Sequence, residues 1–297
     1  MSVATAGSIP QTRRRPVKPG KVIGRVLFYL MVVIILGYIL FPFYWAARTS
    51  FMPDSDIYLT PVQYWPKNFT FQHYINAFSE TTFLRAILNS ALVGVAATIL
   101  SVLFGASASY ALARFNFLGR NVALYLILAM SMFPGISILG ALYTVLQKVH
   151  LYNTLYALII VYLTFSLPLM VWIMQSFFRG MPRDLEEAAY VDGASQFQTF
   201  WRIMMPLAAP GLATAGILTL MGCWQEFLFA LSFELSSSHW TVPLAIVNTG
   251  ANQASAFQIP WGDQMAETLV VMLPLIAVVL LLQRRIISGL TAGAVKG

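Results

Sequence analysis

Four of the eleven carboxylates, Asp184, Glu186, Glu187 and Asp192, fall within nine residues of the chain. Asp184 and Glu187 have the D-x-x-E spacing of a capping-box variant, which starts a helix by satisfying its free N–H groups. Leu185, Ala188, Ala189 and Asp192 would share one side of that helix. Alanines on such a face let a helix lie close to a groove of another protein. The chemistry on offer is therefore docking and mechanical leverage rather than bond making. The same helix could instead lie on a membrane surface with no partner.

Other reactive groups are sparse. Glu226 and Glu267 are the carboxylates at the edges of long apolar runs. A proton- or sodium-coupled carrier keeps such groups at mid-membrane, and their scarcity suggests that the driving force enters elsewhere. Glu226 reads either as a loop-facing carboxylate or, beside Gln225, as a cavity-lining polar group. His73, His150 and His239 are far apart, and the lone Cys223 permits neither an internal disulfide nor a cysteine cluster, so no metal site is expected. A G-x-x-x-x-G-K-[ST] phosphate loop and a G-x-S-x-G elbow are both missing.

The elements that must position these groups follow from composition. The chain has 297 residues, 58% hydrophobic and 10% charged, with a mean hydropathy of +0.72. Soluble domains carry about 45–50% apolar and roughly 25% charged residues. So few charges cannot cover the surface in water, and lipid is the expected solvent. Five apolar stretches of 22 to 28 residues lack Lys, Arg, Asp and Glu: 26–47, 86–113, 121–147, 151–178 and 203–225; the uncharged stretch 235–262 is too polar to join them. A sixth, 268–283, reaches spanning length when extended back over Glu267. A membrane helix needs about 20 such residues. The expected fold is all-α and polytopic, with six spans at 23–47, 86–113, 121–147, 151–178, 206–231 and 265–284.

Fourteen of the 18 basic residues lie in segment 1–22 and just beyond it, the 2–3 loop, the 4–5 segment and the C-terminus from Arg284 onward. The other four, Arg48, Lys67, Arg85 and Lys148, lie on the opposite side. The positive-inside rule then puts both termini in the cytoplasm. The net charge of +7 is topogenic, and nucleic-acid binding is not needed to explain it. Segments 48–85 and 232–264 become external loops, the first rich in proline and aromatics, the second holding a short helix. The cytoplasmic segment 182–205 reads as two short helices with a glycine elbow at Gly193. Phe197, Phe200, Trp201 and Ile203 sit on the second, and Pro206 opens the fifth span.

This segment resembles the EAA loop of ABC importer permeases: Glu187-Ala188-Ala189, three residues, Gly193, nine residues, Ile203, and Pro206 three further on. Met205 stands where the family often has Leu, a swap that conserves volume. Gly289-Leu-Thr-Ala-Gly-Ala-Val-Lys-Gly297, Leu167-Pro168-Leu169, Gln225-Glu-Phe-Leu-Phe-Ala-Leu231 and Gln283-Arg284-Arg285 are similar to segments of the maltose-type G permeases. Gln225 replaces a more usual Asn.

The resemblance implies a type I ABC importer permease that imports an oligosaccharide of the maltose or trehalose kind and is not itself an enzyme. Its implied partners are a second, homologous permease, two copies of a cytoplasmic ATPase and an external sugar-binding protein. No cofactor is implied in this chain; ATP and Mg belong to the ATPase subunits. Glu187, Ala188, Ala189, Asp192, Gly193, Ile203 and Pro206 would couple to the ATPase. Ala292, Gly293, Val295, Lys296 and Gly297 of the tail would reach between the ATPase subunits. Asn248, Thr249, Gly250, Asn252 and Gln253 would enter the binding protein's cleft. For the sugar pathway, aromatic faces and amide or hydroxyl partners point to Trp224, Gln225, Glu226 and Phe229, with Tyr143 on span 3 and Tyr162 and Thr164 on span 4. An ABC permease for another solute, such as glycerol phosphate, and a stand-alone secondary carrier are the alternatives.

Overall fold

The computed structural model describes residues 19–250 and 259–294. The first helix, α1 (Pro19–Ser50), is followed by the short α2 (Asp54–Ile57) and α3 (Gln72–Ser79) and the long α4 (Thr81–Arg114). Next come α5 (Arg120–Ser131), α6 (Gly135–Lys148) and α7 (Leu155–Gly180). The elbow holds α8 (Asp184–Val191) and α9 (Gln196–Thr199), a π-helical turn at Phe200–Met204, and α10 (Met205–Leu207). The chain ends with α11 (Ala209–Gln225), α12 (Leu228–Phe233), α13 (Val242–Asn248) and α14 (Trp261–Ala294).

The centre is the long parallel pair α4 and α7, which keep step from Ser101 beside Ser166 to Arg114 beside Met181; α11 packs on this pair, with α14 against α11. Small residues make this possible. The buried side of α4 carries Ala86, Ser90, Ala97, Ser101, Ala106 and Ser109. Such residues let helix backbones approach without a large side chain between them. Ser101 and Ser166 of α7 share a buried hydrogen bond of 2.7 Å, satisfying two hydroxyls that no water would reach. By contrast α1 is exposed along its apolar length and becomes buried only at Arg48, Thr49 and Ser50.

Among the described residues, four helices are long and apolar enough to span a membrane, and the count rises to six if each of two bent pairs is one span. The bends depart from the expected spans. The third span is not continuous over 121–147: α5 and α6 meet at 99°. Pro134 lacks an N–H and disfavours helix at the residue before it, so the chain turns between Met132 and Pro134. The fifth span departs twice. The segment Gln196–Leu207 meets Ala209–Gln225 at 77°. Beyond Gln225 the expected run to 231 is interrupted, because Glu226 is extended. Its carboxylate accepts the N–H of Phe229 at 2.8 Å and of Ala230 at 3.2 Å, capping a new helix, α12.

Segment 48–85 is more ordered than a loop. It contains α2 and α3 and the first turn of α4. The pair of His73 on α3 and Asp263 on α14 fastens the segment to the final helix, while Tyr64, Trp65, Phe69 and Phe71 are exposed.

Candidate functional site

The elbow between α7 and α11 is built by local rules. Met181 leaves α7 in an extended conformation, and Pro182 prevents helix continuation. Arg183 already has helical dihedrals and is the N-cap of α8, with no side-chain cap bond. The helix starts one residue earlier than the D-x-x-E spacing implied, so Asp184 takes the first helical position and the expected capping box does not form. The three acids Asp184, Glu186 and Glu187 instead occupy the first turn, where the helix dipole favours negative charge.

At the other end, Ala194 N–H donates to Ala189 O at 2.9 Å and Gly193 N–H to Tyr190 O at 3.0 Å. This is the Schellman pattern. It requires a left-handed residue after the cap, and Gly193 supplies it at φ 81°. Ser195 then opens α9 with a reciprocal capping box: Ser195 Oγ accepts Gln198 N–H at 3.3 Å, and Gln198 Oε1 accepts Ser195 N–H at 2.9 Å. The Ser-x-x-Gln signal at 195–198 is readable from sequence, and the D-x-x-E spacing eleven residues earlier drew the reading instead.

Of the residues expected to couple to a partner, Glu187, Ala188, Asp192 and Gly193 are exposed. Ala189 is not: it is buried against this chain's own bundle. The pair Ala188-Ala189 therefore splits, because adjacent helical residues point about 100° apart. Ile203 is half-buried in the π turn, and Pro206 is exposed on α10. A cluster of Tyr110, Phe178 and Phe200 seats the second half of the elbow, with ring centroids 4.9 Å apart for Tyr110 and Phe200 and 5.5 Å for Tyr110 and Phe178.

A buried ion pair absent from the sequence reading lies under α8. Arg114 Nε is 3.2 Å from Glu186 Oε1, and Arg114 Nη2 donates to Met181 O at 2.9 Å. The available signal was position: Glu186 precedes Ala189 by three, so a carboxylate and an alanine share the inward face.

The far end of the molecule is arranged differently. Thr249 is buried, and its hydroxyl donates to Glu267 Oε2 at 2.6 Å. It anchors the segment to α14 and is not free to enter a partner's cleft. Asn248, at the end of α13, donates its side-chain amide to Leu244 O at 2.8 Å. Gly250 has φ 77°. Asn252 and Gln253 lie outside the described residues, as do Val295, Lys296 and Gly297; Ala292 and Gly293 lie within the last turns of α14.

The seven candidate pathway residues do not converge as a set: Thr164 and Phe229 share one cleft, and the others are not part of its lining. Phe229 lines a cleft of about 400 Å³ at the α5–α6 bend, with Ser131, Phe133, Gly135 and Thr164. Trp224 instead packs with Phe83, Val242 and Val271. Gln225 is exposed, Glu226 caps α12, and Tyr143 OH accepts the Gln147 amide at 2.8 Å.

Broken apolar spans around a small-residue core, with a capped elbow at one end, define an all-α polytopic membrane protein of the permease type. The chain belongs to the family of binding-protein-dependent transport system inner membrane components, which matches residues 97–291. It is 40% identical over 265 residues to the trehalose transport system permease protein SugB of Mycobacterium tuberculosis, covering 89% of this chain and 95% of that one. It is 36% identical over 279 residues to the trehalose/maltose transport system permease protein MalG of Thermococcus litoralis, covering 93% and 99%. A crystal structure of a bacterial ABC transporter involved in the import of the acidic polysaccharide alginate contains a chain of the same fold, with a TM-score of 0.76 at 20% identity, over 90% of this chain and 98% of that one. The expected ABC importer permease fold and family are thus borne out, and the chain is an inner-membrane transport permease.

Proposed function

We propose that this permease carries an oligosaccharide of the trehalose or maltose type inward across the cell membrane, delivered by an external binding protein and driven by ATP hydrolysis on partner subunits. The observation that carries the reading is the elbow. Its Schellman cap and capping box fix the turn between α8 and α9, with Glu187, Ala188, Asp192 and Gly193 turned outward. In this reading both termini and the elbow are cytoplasmic, as the distribution of basic residues supports. A second, homologous permease completes the pathway. Two ATPase copies, which hold ATP and Mg, dock on the two coupling helices. Their closure draws those helices together and opens the bundle outward; hydrolysis resets it inward. The tail 291–297 reaches the ATPase pair, and the segment after Thr249 meets the binding protein.

The relatives' substrates support a glucoside cargo. The cleft at the α5–α6 bend offers aromatic faces at Phe133 and Phe229 beside the hydroxyls of Ser131 and Thr164. A phosphorylated cargo such as glycerol phosphate would call for Arg or Lys near the pathway, and the charge-free spans 121–147, 151–178 and 203–225 provide none. The deciding experiment is uptake of labelled trehalose and maltose into vesicles holding the permease pair, with and without the ATPase and the binding protein. Uptake that requires both supports the reading. Uptake by this chain alone would establish a secondary carrier instead.

A further inference from the structure

Helix α8 is held to the bundle by little. Its buried side chains are Glu186 and Ala189, and a methyl group offers scant grip to a moving element. Glu186 meets Arg114, the last residue of α4, whose side chain is 5% exposed. The same guanidinium donates through Nη2 to Met181 O, the cap of α7. One side chain therefore ties together the ends of α4 and α7 and the inner face of α8. The pair α4 and α7 is the most extensively packed in the molecule. A displacement delivered to Arg114 is delivered to both of them.

We infer that Arg114 is a positioning residue that transmits motion of α8 to the bundle, acting through its ion pair with Glu186. The inference rests on the reading of α8 as the ATPase-docking helix and adds to it the path by which the load leaves that helix. Opposite charges away from water attract more strongly than at a surface, so the pair resists separation. The planar guanidinium can hold two acceptors in fixed directions, which an ammonium on a flexible stem does less well. The backbone offers only an indirect alternative. On one side α8 is linked to α7 through Met181 and Pro182, and on the other it turns at Gly193.

The test uses the complete importer reconstituted in vesicles, with its partner permease, ATPase pair, binding protein and a labelled disaccharide. Three quantities are measured: ATPase co-purifying with the permease, ATP hydrolysed, and sugar moved per ATP. In Glu186→Gln and Arg114→Lys, co-purification should stay at the parent level, because the exposed face of α8 is untouched. Sugar moved per ATP should fall about tenfold, the size of a typical coupling term. Glu186→Asp should retain more coupling than Glu186→Gln. An unchanged ratio in both variants overturns the inference. So does loss of co-purification, which would make the pair a shaper of the docking face. Should Glu186→Gln fail to insert, Arg114→Lys carries the test; failure of both to insert indicates a folding role alone and also overturns it. Normal transport in Gly193→Asp would sink the docking reading itself, and that outcome is separable from all of these.

Discussion

His73 and Asp263 meet across 190 positions of sequence, with Nδ1 and Oδ1 2.8 Å apart and the imidazole buried. The second ring nitrogen, Nε2, lies 2.9 Å from Met52 O. A carboxylate and a carbonyl only accept, so the site suits the imidazolium form, in which both ring nitrogens donate. Asn76 also donates to Asp263 Oδ1 at 3.1 Å, and Asp54 lies 3.9 Å from Nε2. Gly262 allows the contact, since a Cβ there would overlap the ring. This clasp joins the segment after α1 to α3 and to the start of α14.

The clasp makes a pH prediction. The hydrogen bond to Asp263 is the largest cause that raises the His73 pKa above its ordinary 6.5; burial opposes it and the Met52 carbonyl adds to it. A raised folded pKa stabilises fully below the unfolded value, and the contribution is lost as pH rises through the folded value. Amide exchange over 49–80 should therefore quicken as pH climbs above 6.5 and through the raised His73 value, beyond the intrinsic rise. His73→Gln should abolish that excess. An identical excess in His73→Gln would remove the clasp from the explanation.

At Gly193 the left-handed backbone sets the expectation. Any residue with a Cβ costs about 1–2 kcal/mol there, and Asn least among the polar ones. Gly193→Asp, and separately Glu187→Lys on the exposed face of α8, should abolish sugar uptake while membrane insertion persists. Uptake assays on vesicles with matched permease levels check this, and normal rates in both variants would refute the lever assignment.

Thr249→Val removes a donor to a carboxylate with no exposure, Glu267. Leaving such an acceptor short of a partner costs about 1–3 kcal/mol. A lower midpoint of thermal unfolding in detergent is expected, whereas Asn248→Ala, which loses only a bond to its own helix, should shift it less. Equal midpoints for Thr249→Val and the parent would show the bond to be dispensable.

Deleting residues 291–297 should lower ATP hydrolysis coupled to sugar uptake without changing the amount of permease in the membrane. Unchanged coupling would leave the tail without a role in contact with the ATPase.

The spans were legible because charge is excluded from lipid, and a run without Lys, Arg, Asp or Glu records that directly. Their breaks were not, because hydropathy is blind to direction: Met132, Phe133 and Pro134 are as apolar as their helical neighbours, and the turn at Glu226 depends on where its carboxylate lands. At the elbow, Gly193 was readable because a left-handed cap favours one residue type. The pairing of Arg114 with Glu186 was not, since 72 positions separate them and only the packing of α4 on α7 brings them together. The same holds for Thr249. Its composition suited a solvated loop, and a single buried carboxylate on α14 turned it inward.

The π turn at Phe200–Met204 has one more consequence. Its hydrogen-bonded ring encloses one residue more than an α-helical ring. The elbow thus carries slack of a single residue at the point where it enters α10. Removing one residue from 200–204 would restore ordinary α-helix and leave the flanking faces nearly in phase, whereas the same deletion within Gln196–Thr199 would break the capping box. Transport surviving the first deletion but not the second would reveal that slack; the reverse order would deny it.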